Sequence, residues 1–363
     1  MTTQSKPRLL TGDTPTGKLH IGHYVGSIEN RLQLQDEYEC YFLIANKHAF
    51  TTRADRPGEI RQSVLDIATD WLGAGIDPQR SAMVIQSEVP AIDELTFFFS
   101  MLVPFNRVMR NPTLAEEIRD KELGDKYPFG FPLYTVGQVA DVLSFRAAVV
   151  PVGEDQLPHL EMAREIARRF DQIYCGVNPH TEDKDYVAQG GLFPIFEPKI
   201  GRIRRLVGTG GPGPNGQLLK MSKSLDNAIF LSDDADVVRK KVMGMYTDPK
   251  RIRATDPGTT ENNPLWIFHD AFNSDAAWLA EQKAAYRAGK VGDVTIKKRL
   301  IEILNALLEP IRVRRRQFEQ RPDDVWDVLK TGTRRANELT EQTLALAKAA
   351  MKQDFFKREL KFD

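Results

Sequence analysis

Apolar positions in the first two hundred residues alternate between two rhythms. Leu9-Leu10 leads into a glycine- and proline-punctuated turn, and from Ile21 onward the chain reads as a helix. Cys40-Tyr41-Phe42-Leu43-Ile44-Ala45 is a continuous apolar run of the kind buried in parallel sheets. Val64, Ile67, Ala68 and Trp71 recur at helical spacing, and Ala82-Met83-Val84-Ile85 predicts the next strand. Residues 147–153 predict a buried strand ending at a turn, after which Leu160, Ala163, Ala167 and Phe170 mark one helical face. Strand and helix in alternation predict an α/β fold built on a doubly wound parallel sheet.

Past Ser232 the strand signals stop. Ile296, Leu300, Ile303 and Leu307 line one helix, and the stretch from Arg334 to Lys352 reads as another. The pattern therefore divides the chain into an α/β domain over 1–232 and an all-helical domain over 233–363, whose last helix has the option of packing back on the first. No fixed-period repeat is present.

With 363 residues, the chain is long enough for a sizeable core and two domains. Its 41% hydrophobic and 28% charged residues are ordinary for a globular protein, and no apolar run approaches a membrane span. The start, Met1-Thr2-Thr3-Gln4-Ser5-Lys6-Pro7-Arg8, lacks a signal-peptide core, so a cytoplasmic location without a membrane partner is expected. The two cysteines, Cys40 and Cys175, fit a reducing compartment and exclude a multi-cysteine zinc or iron–sulfur site. The 50 basic residues balance 50 acidic ones, so net charge announces no nucleic acid, and DNA is not expected as a partner. Three basic runs stand out locally: Lys250, Arg251 and Arg253; Lys297, Lys298 and Arg299; and Arg312, Arg314, Arg315 and Arg316. Such runs are more often solvated helix faces than RNA contacts, and only the motifs below raise the RNA reading.

Two short segments carry the chemistry. His20-Ile21-Gly22-His23 follows the turn Thr11-Gly12-Asp13-Thr14-Pro15-Thr16-Gly17-Lys18. A helix starting near Ile21 offers free N–H groups and a positive dipole end to an anion, and His20 and His23 add donors for charge on a transferred phosphoryl group. The second segment, Lys220-Met221-Ser222-Lys223-Ser224, follows a Gly/Pro-rich stretch at 208–216. Its lysines suit the phosphates of a leaving pyrophosphate, and the loop suits closure during catalysis. Taken alone, the first segment is equally a mere tight turn, and the second reads first as a solvated basic loop.

Between them, Gly153-Glu154-Asp155-Gln156 should sit at the carboxyl edge of the sheet, where Asp155 suits a ribose hydroxyl and Gln156 an ammonium group. Tyr134, Gln138 and Asp141 fall at i, i+4 and i+7 on one helical face, an arrangement able to hold a polar substrate tip but common on helix surfaces. His48, His159, His180 and His269 lack metal-ligand spacing and read as structural imidazoles, so no metal site on protein side chains is expected. No P-loop and no Ser/His/Asp or Cys/His nucleophile pattern is found.

Both segments, in this order and at this separation, resemble the HIGH and KMSKS signatures of class I aminoacyl-tRNA synthetases. Within that class the chain most resembles the tryptophanyl-tRNA synthetases, from Thr11 to about Glu319. The resemblance also rests on Asn46-Lys47-His48-Ala49-Phe50-Thr51, Val150-Pro151-Val152-Gly153-Glu154-Asp155-Gln156, the helix beginning His159-Leu160-Glu161-Met162, and Thr247-Asp248-Pro249. It implies a Rossmann-like catalytic domain and a helical tRNA anticodon-binding domain. It implies further that His20, His23, Lys220 and Lys223 act on the phosphates. Thr14, Gly22, Gly153, Asp155, Met221 and Ser222 would complete the ATP site, with Met221 near adenine and Gly153 and Asp155 on the ribose. Tyr134 and Gln156 would receive the α-ammonium of the amino acid, and Asp141 the indole N–H. Val150 and Val152 would wall the ring, with Leu10, His48 and Gln138 nearby.

The chain departs from the family pattern at three of these positions. Gln138 stands where many bacterial members carry methionine, Leu10 where an aromatic is common, and Thr14 where glutamine is common. The sister tyrosyl-tRNA synthetases use a glutamine three residues before the aspartate to hold a phenol, so a tyrosyl enzyme is the nearer alternative and a non-charging paralogue the more distant one. The resemblance implies ATP with Mg2+, L-tryptophan and tRNA(Trp) as ligands and a homodimer as the assembly.

Overall fold

The computed structural model describes residues 6–120, 123–124, 126–201, 203, 206–222, 225–249, 251–253, 255–356, 358 and 360. Strand β1 (Arg8–Asp13) leads into α1 (Ile21–His23), a π-helical turn over Tyr24–Ile28 and α2 (Glu29–Leu34). Next come β2 (Glu39–Ile44), α3 (Asn46–Arg53), α4 (Pro57–Ala74) and β3 (Ser81–Ile85). Helices α5 (Pro90–Ser100), α6 (Phe105–Met109), α7 (Pro112–Asp120) and α8 (Gly130–Ser144) precede β4 (Val149–Val152). Helix α9 (Leu157–Tyr174) precedes β5 (Glu197–Ile200), and a hairpin of β6 (Val207–Pro212) and β7 (Leu218–Lys220) follows. The rest is helical: α10 (Ala235–Met243), α11 (Pro264–Phe272), α12 (Ala276–Arg287), α13 (Asp293–Glu319) and α14 (Pro322–Ala350).

The five strands β3-β2-β1-β4-β5 form one parallel sheet. The continuous apolar runs are explained by its two covered faces. Leu9, Phe42, Ile44 and Met83 enter one apolar cluster while Leu10, Tyr41, Leu43 and Val84 enter the other, as the two-residue strand period requires. Strand β1 pairs with β2 from Arg8↔Glu39 to Asp13↔Ile44, yet meets β4 only at Leu9↔Val149. The chain order reverses between these two strands, and they part toward their carboxyl ends. Such a switch point opens the crevice where doubly wound sheets bind ligands. Thr11 Oγ1 spans the parting strands by donating to Pro151 O at 2.7 Å.

The last two helices return to this domain. Helix α13 lies on α4, where a Cβ at Gly73 would come within 2.9 Å of Arg315 Cβ. Helix α14 covers the β3 edge: Thr333 Oγ1 accepts from Ile85 N–H at 3.1 Å, and Gly332 lies so close that any Cβ would overlap the Met83 backbone. The buried row of α13 is Ile296, Leu300, Leu304, Leu308 and Ile311, while the expected Ile303 and Leu307 sit half-buried beside it. Adjacent rows of one helical face are hard to separate by spacing alone.

Most of the described basic-run residues have partners within the fold. Arg312 is buried and donates to Asp233 O, Asn305 and Glu309. Arg314 caps the end of α4 through Gly73 O and Ala74 O, and Arg315 is buried against Asp70. Lys297 caps α10 through Met243 O and Met245 O, and Arg251 lies over the Tyr286 ring beside Asp293. Lys250 lies outside the described residues. Arg253, Lys298 and Arg316 remain exposed.

Candidate active site

The two signatures are brought side by side by chain pairing. Ile21 N–H donates to Ile229 O at 2.9 Å and Leu231 N–H to Leu19 O at 3.0 Å, so His20 lies opposite Phe230 just downstream of the lysine loop. Met221 is buried in the same apolar cluster as Leu19, Ile21 and Ile229, while Lys220 is exposed. Asn227 fixes this loop, accepting from Ser222 N–H at 2.7 Å and donating to Lys220 O at 3.1 Å. Lys223 lies outside the described residues, as does the side chain of Asp155.

The imidazoles of His20 and His23 lie against each other at a tilt of 39°, with centroids 3.8 Å apart. His20 N–H donates to His23 Nδ1 at 3.1 Å, which leaves the proton of neutral His23 on Nε2 as a donor. Gly22 makes room for this, since a Cβ there would meet His20 Nδ1 at 2.9 Å. The preceding turn carries exposed Thr14, whose carbonyl accepts from Thr16 N–H, and Gly17 at φ +117, a conformation suited to glycine. At the end of β1, burial would raise the Asp13 pKa, but the charge of Arg31 and hydrogen bonds from Arg31 and Trp71 hold it below the usual carboxylate range.

A second cluster closes over the same crevice. Tyr134, Gln138 and Asp141 project from α8 as their spacing predicts. Buried Asp141 accepts from Gln86 Nε2 at 2.8 and 3.0 Å, and His48 Nε2 lies 3.5 Å from its Oδ2. Burial lowers the His48 pKa to about 4, with the Lys47 charge adding to the fall and Glu117 opposing it, so the ring is neutral near pH 7. Gly137 lets that ring lie against α8, where its Nε2 would be 3.3 Å from an added Cβ. Tyr134 OH is 3.3 Å from His159 Nε2, and burial, then the charge and hydrogen bond of Glu117, push its phenol pKa up. Gln138 Nε2 donates to Gln156 Oε1 at 3.3 Å, so the two glutamines meet across the gap between α8 and the turn after β4. Leu10 and Val150 are buried together, and half-buried Val152 packs against their cluster. Gly153 turns the chain from β4 toward α9.

Three residues here escape sequence reasoning. Gln86 follows the predicted strand 82–85 directly, a position at the carboxyl edge that could have flagged it. His159, read as a structural imidazole, joins Tyr134 to Asn111, whose Nδ2 lies 3.2 Å from His159 Nδ1. Asn227 carries no local signal. Among the described residues, no group of three or more His, Cys, Asp or Glu side chains is placed to hold a metal, and Cys40 and Cys175 are free thiols.

A parallel sheet whose switch point carries the two paired signature segments and a polar-tipped pocket defines a nucleotide-handling α/β enzyme. The chain belongs to the class I tRNA synthetases of the W and Y group, whose family model matches residues 2–309. A tryptophan–tRNA ligase of Clostridium longisporum is 45% identical over 354 residues, spanning 97% of this chain and 98% of the relative. Another, from Lactococcus lactis, is 45% identical over 357 residues, 97% of this chain and 100% of its own. The solved tryptophanyl-tRNA synthetase of Campylobacter jejuni, complexed with ADP and tryptophan, superposes with a TM-score of 0.77 at 27% identity, covering 95% of this chain and 99% of that one.

Proposed function

We propose that this chain activates L-tryptophan with ATP and transfers it to tRNA(Trp). The observation that carries the reading is the buried acceptor Asp141, two helical turns from Tyr134 on one face of α8 and held in the crevice beside His48. An indole presents one polar handle, a donor N–H, and an ionised carboxylate accepts without donating. The full-length similarity to tryptophan–tRNA ligases supports the same reading.

In the proposed reaction, a tryptophan carboxylate oxygen attacks the α-phosphorus in line, the bond to the bridging oxygen breaks, and pyrophosphate leaves. The tRNA 3′ ribose hydroxyl then attacks the acyl carbon and AMP leaves. The chain supplies positioning and charge rather than a covalent nucleophile. His20, His23, Lys220 and Lys223 act on the phosphates, with Thr14 and Gly22 lining their turn. Met221 borders adenine, Ser222 joins the ATP site beside it, and Gly153 and Asp155 hold the ribose. Tyr134 and Gln156 receive the α-ammonium, and Leu10, Val150 and Val152 wall the ring. Gln138, whose amide is directed at Gln156 Oε1, orients that acceptor. Mg2+ would enter on the phosphate oxygens of ATP.

The catalytic unit covers 1–232 and the tRNA-binding unit 233–363. A cytoplasmic homodimer is the assembly we propose. Phe97, Met101 and Phe105, each more than 60% exposed where α5 passes into α6, support a self-association surface. Among the described residues, no helix is long and apolar enough to cross a membrane. Charging assays with the full chain and ATP test the proposal. Label from tryptophan should accumulate on tRNA(Trp), whereas charging of tRNA(Tyr) with tyrosine, or no charging, would overturn it.

A further inference from the structure

The pocket contains a fully buried amide that none of the roles above uses. Gln86 is 1% exposed, and its Nε2 donates to both oxygens of Asp141, at 2.8 and 3.0 Å, while lying 2.9 Å from His48 Nε2. Its Oε1 accepts from Lys47 N–H at 3.1 Å. The orientation of the amide is fixed by chemistry: the reverse placement would set Oε1 against a carboxylate and Nε2 against an N–H donor. One amide proton thus serves Asp141 and the other His48, whose Nε2 becomes the acceptor of a neutral, Nδ1-protonated ring. The network runs in one direction, from the Lys47 backbone through Gln86 to Asp141 and His48.

The backbone under Gln86 is held as firmly. Ile85 N–H donates to Thr333 of α14, Ser87 N–H to Asn46 Oδ1 at 2.9 Å, and Asn337 of α14 donates to Glu88 O at 2.7 Å. The amide is therefore anchored by the sheet, by the start of α3 and by the last long helix together.

We propose that Gln86 is a positioning residue for substrate selection: it aims the Asp141 carboxylate and occupies its inner lone pairs, leaving an outer one for a ring N–H. This rests on the reading of Asp141 as the indole acceptor. Without Gln86 the carboxylate has no fixed donor and turns toward His48 or solvent, so the acceptor is no longer where the ring presents its proton. A ligand that makes no such hydrogen bond loses nothing by this.

Equilibrium binding of L-tryptophan and of its benzothiophene analogue, which replaces the ring N–H by sulfur, separates these effects in the full chain. Gln86→Met preserves shape and removes the amide. Its preference for tryptophan over the analogue should fall by about tenfold relative to parent, a lost hydrogen bond of ordinary strength. KM for tryptophan should rise, with KM for ATP within about twofold of parent. A purely structural role would lower the active fraction for both ligands and leave their ratio unchanged. Gln86→Glu, the same size but placing an acceptor against Asp141, should lose at least as much and serves if the methionine variant fails to fold. Parent-like preference in either folded variant overturns the assignment of Gln86. Equal binding of the two ligands by the parent would instead overturn the reading of Asp141.

Discussion

Asp141 shows how burial sets the working state of a single residue. Desolvation pushes its carboxyl up to about 7, against the hydrogen bonds from Gln86 and the charge of Lys47, while Asp93 adds to the rise. Lys47 and Asp93 face it as a pair 2.5 Å apart, and His48, titrating at about 4, stays neutral above pH 6. Between about pH 4 and 7 the ligand-free folded chain retains a proton here that the unfolded chain has released. This group therefore favours folding on the acid side, and that contribution is lost as pH rises through about 7. Accepting an indole N–H has the opposite preference, because the ionised form is the better acceptor. The ratio of kcat/KM for tryptophan to that for the N–H-free analogue should accordingly increase from pH 6 to pH 8, measured by pyrophosphate exchange. A ratio flat across that range would mean that Asp141 does not meet the ring.

Among elements, the contact of α13 with α4 turns on one buried carboxylate. Asp70 Oδ1 accepts from Arg315 Nε at 2.6 Å, and its Oδ2 accepts the Leu19 N–H at 2.7 Å, immediately before the first signature. Removing Arg315 leaves that charge without its cation, so Arg315→Ala should cost about 3–5 kcal/mol of stability. Arg316→Ala, at an exposed neighbour, should stay within about 0.5 kcal/mol. Urea unfolding of both variants decides this, and equally small losses would show that α13 is not held through Arg315. In the sequence these two arginines are indistinguishable members of a basic run. The partner that separates them lies 245 positions away, beyond any local pattern. The elements themselves were more legible. Strands β2, β3 and β4 follow apolar runs, and the α8 triplet follows helical spacing, because burial on both sheet faces and a shared helical face leave local marks. On α13 the spacing finds Ile296 and Leu300 but not the rest of the buried row, since two adjacent rows carry apolar residues and only the packing partner chooses between them.

For the whole molecule, the fold class could be read from alternation, but the joining of its parts could not. The pairing of residues 19–21 with 229–231, which sets the histidine and lysine signatures together, runs through backbone hydrogen bonds to which side-chain pattern gives no clue. Gln86 carries no sequence mark of its role for a related reason: its partners come from α3, α8 and, through the backbone beside it, α14, and no short stretch contains them. Tyr134, Gln138 and Asp141, by contrast, share one helical face by spacing alone, and the structure adds the contact of Gln138 with Gln156 at the turn after β4. The site is thus legible where one element presents its residues and hidden where several converge.

In the proposed reaction this convergent pocket recognises an indole through Asp141. The most direct measurement is kcat/KM for amino-acid-dependent pyrophosphate exchange with tryptophan and with its benzothiophene analogue, in the parent and in Asp141→Ala. The parent should favour tryptophan, and the variant should lose about 1–3 kcal/mol of that preference. A parent that treats the two substrates alike, or a variant that keeps the full preference, would contradict the account.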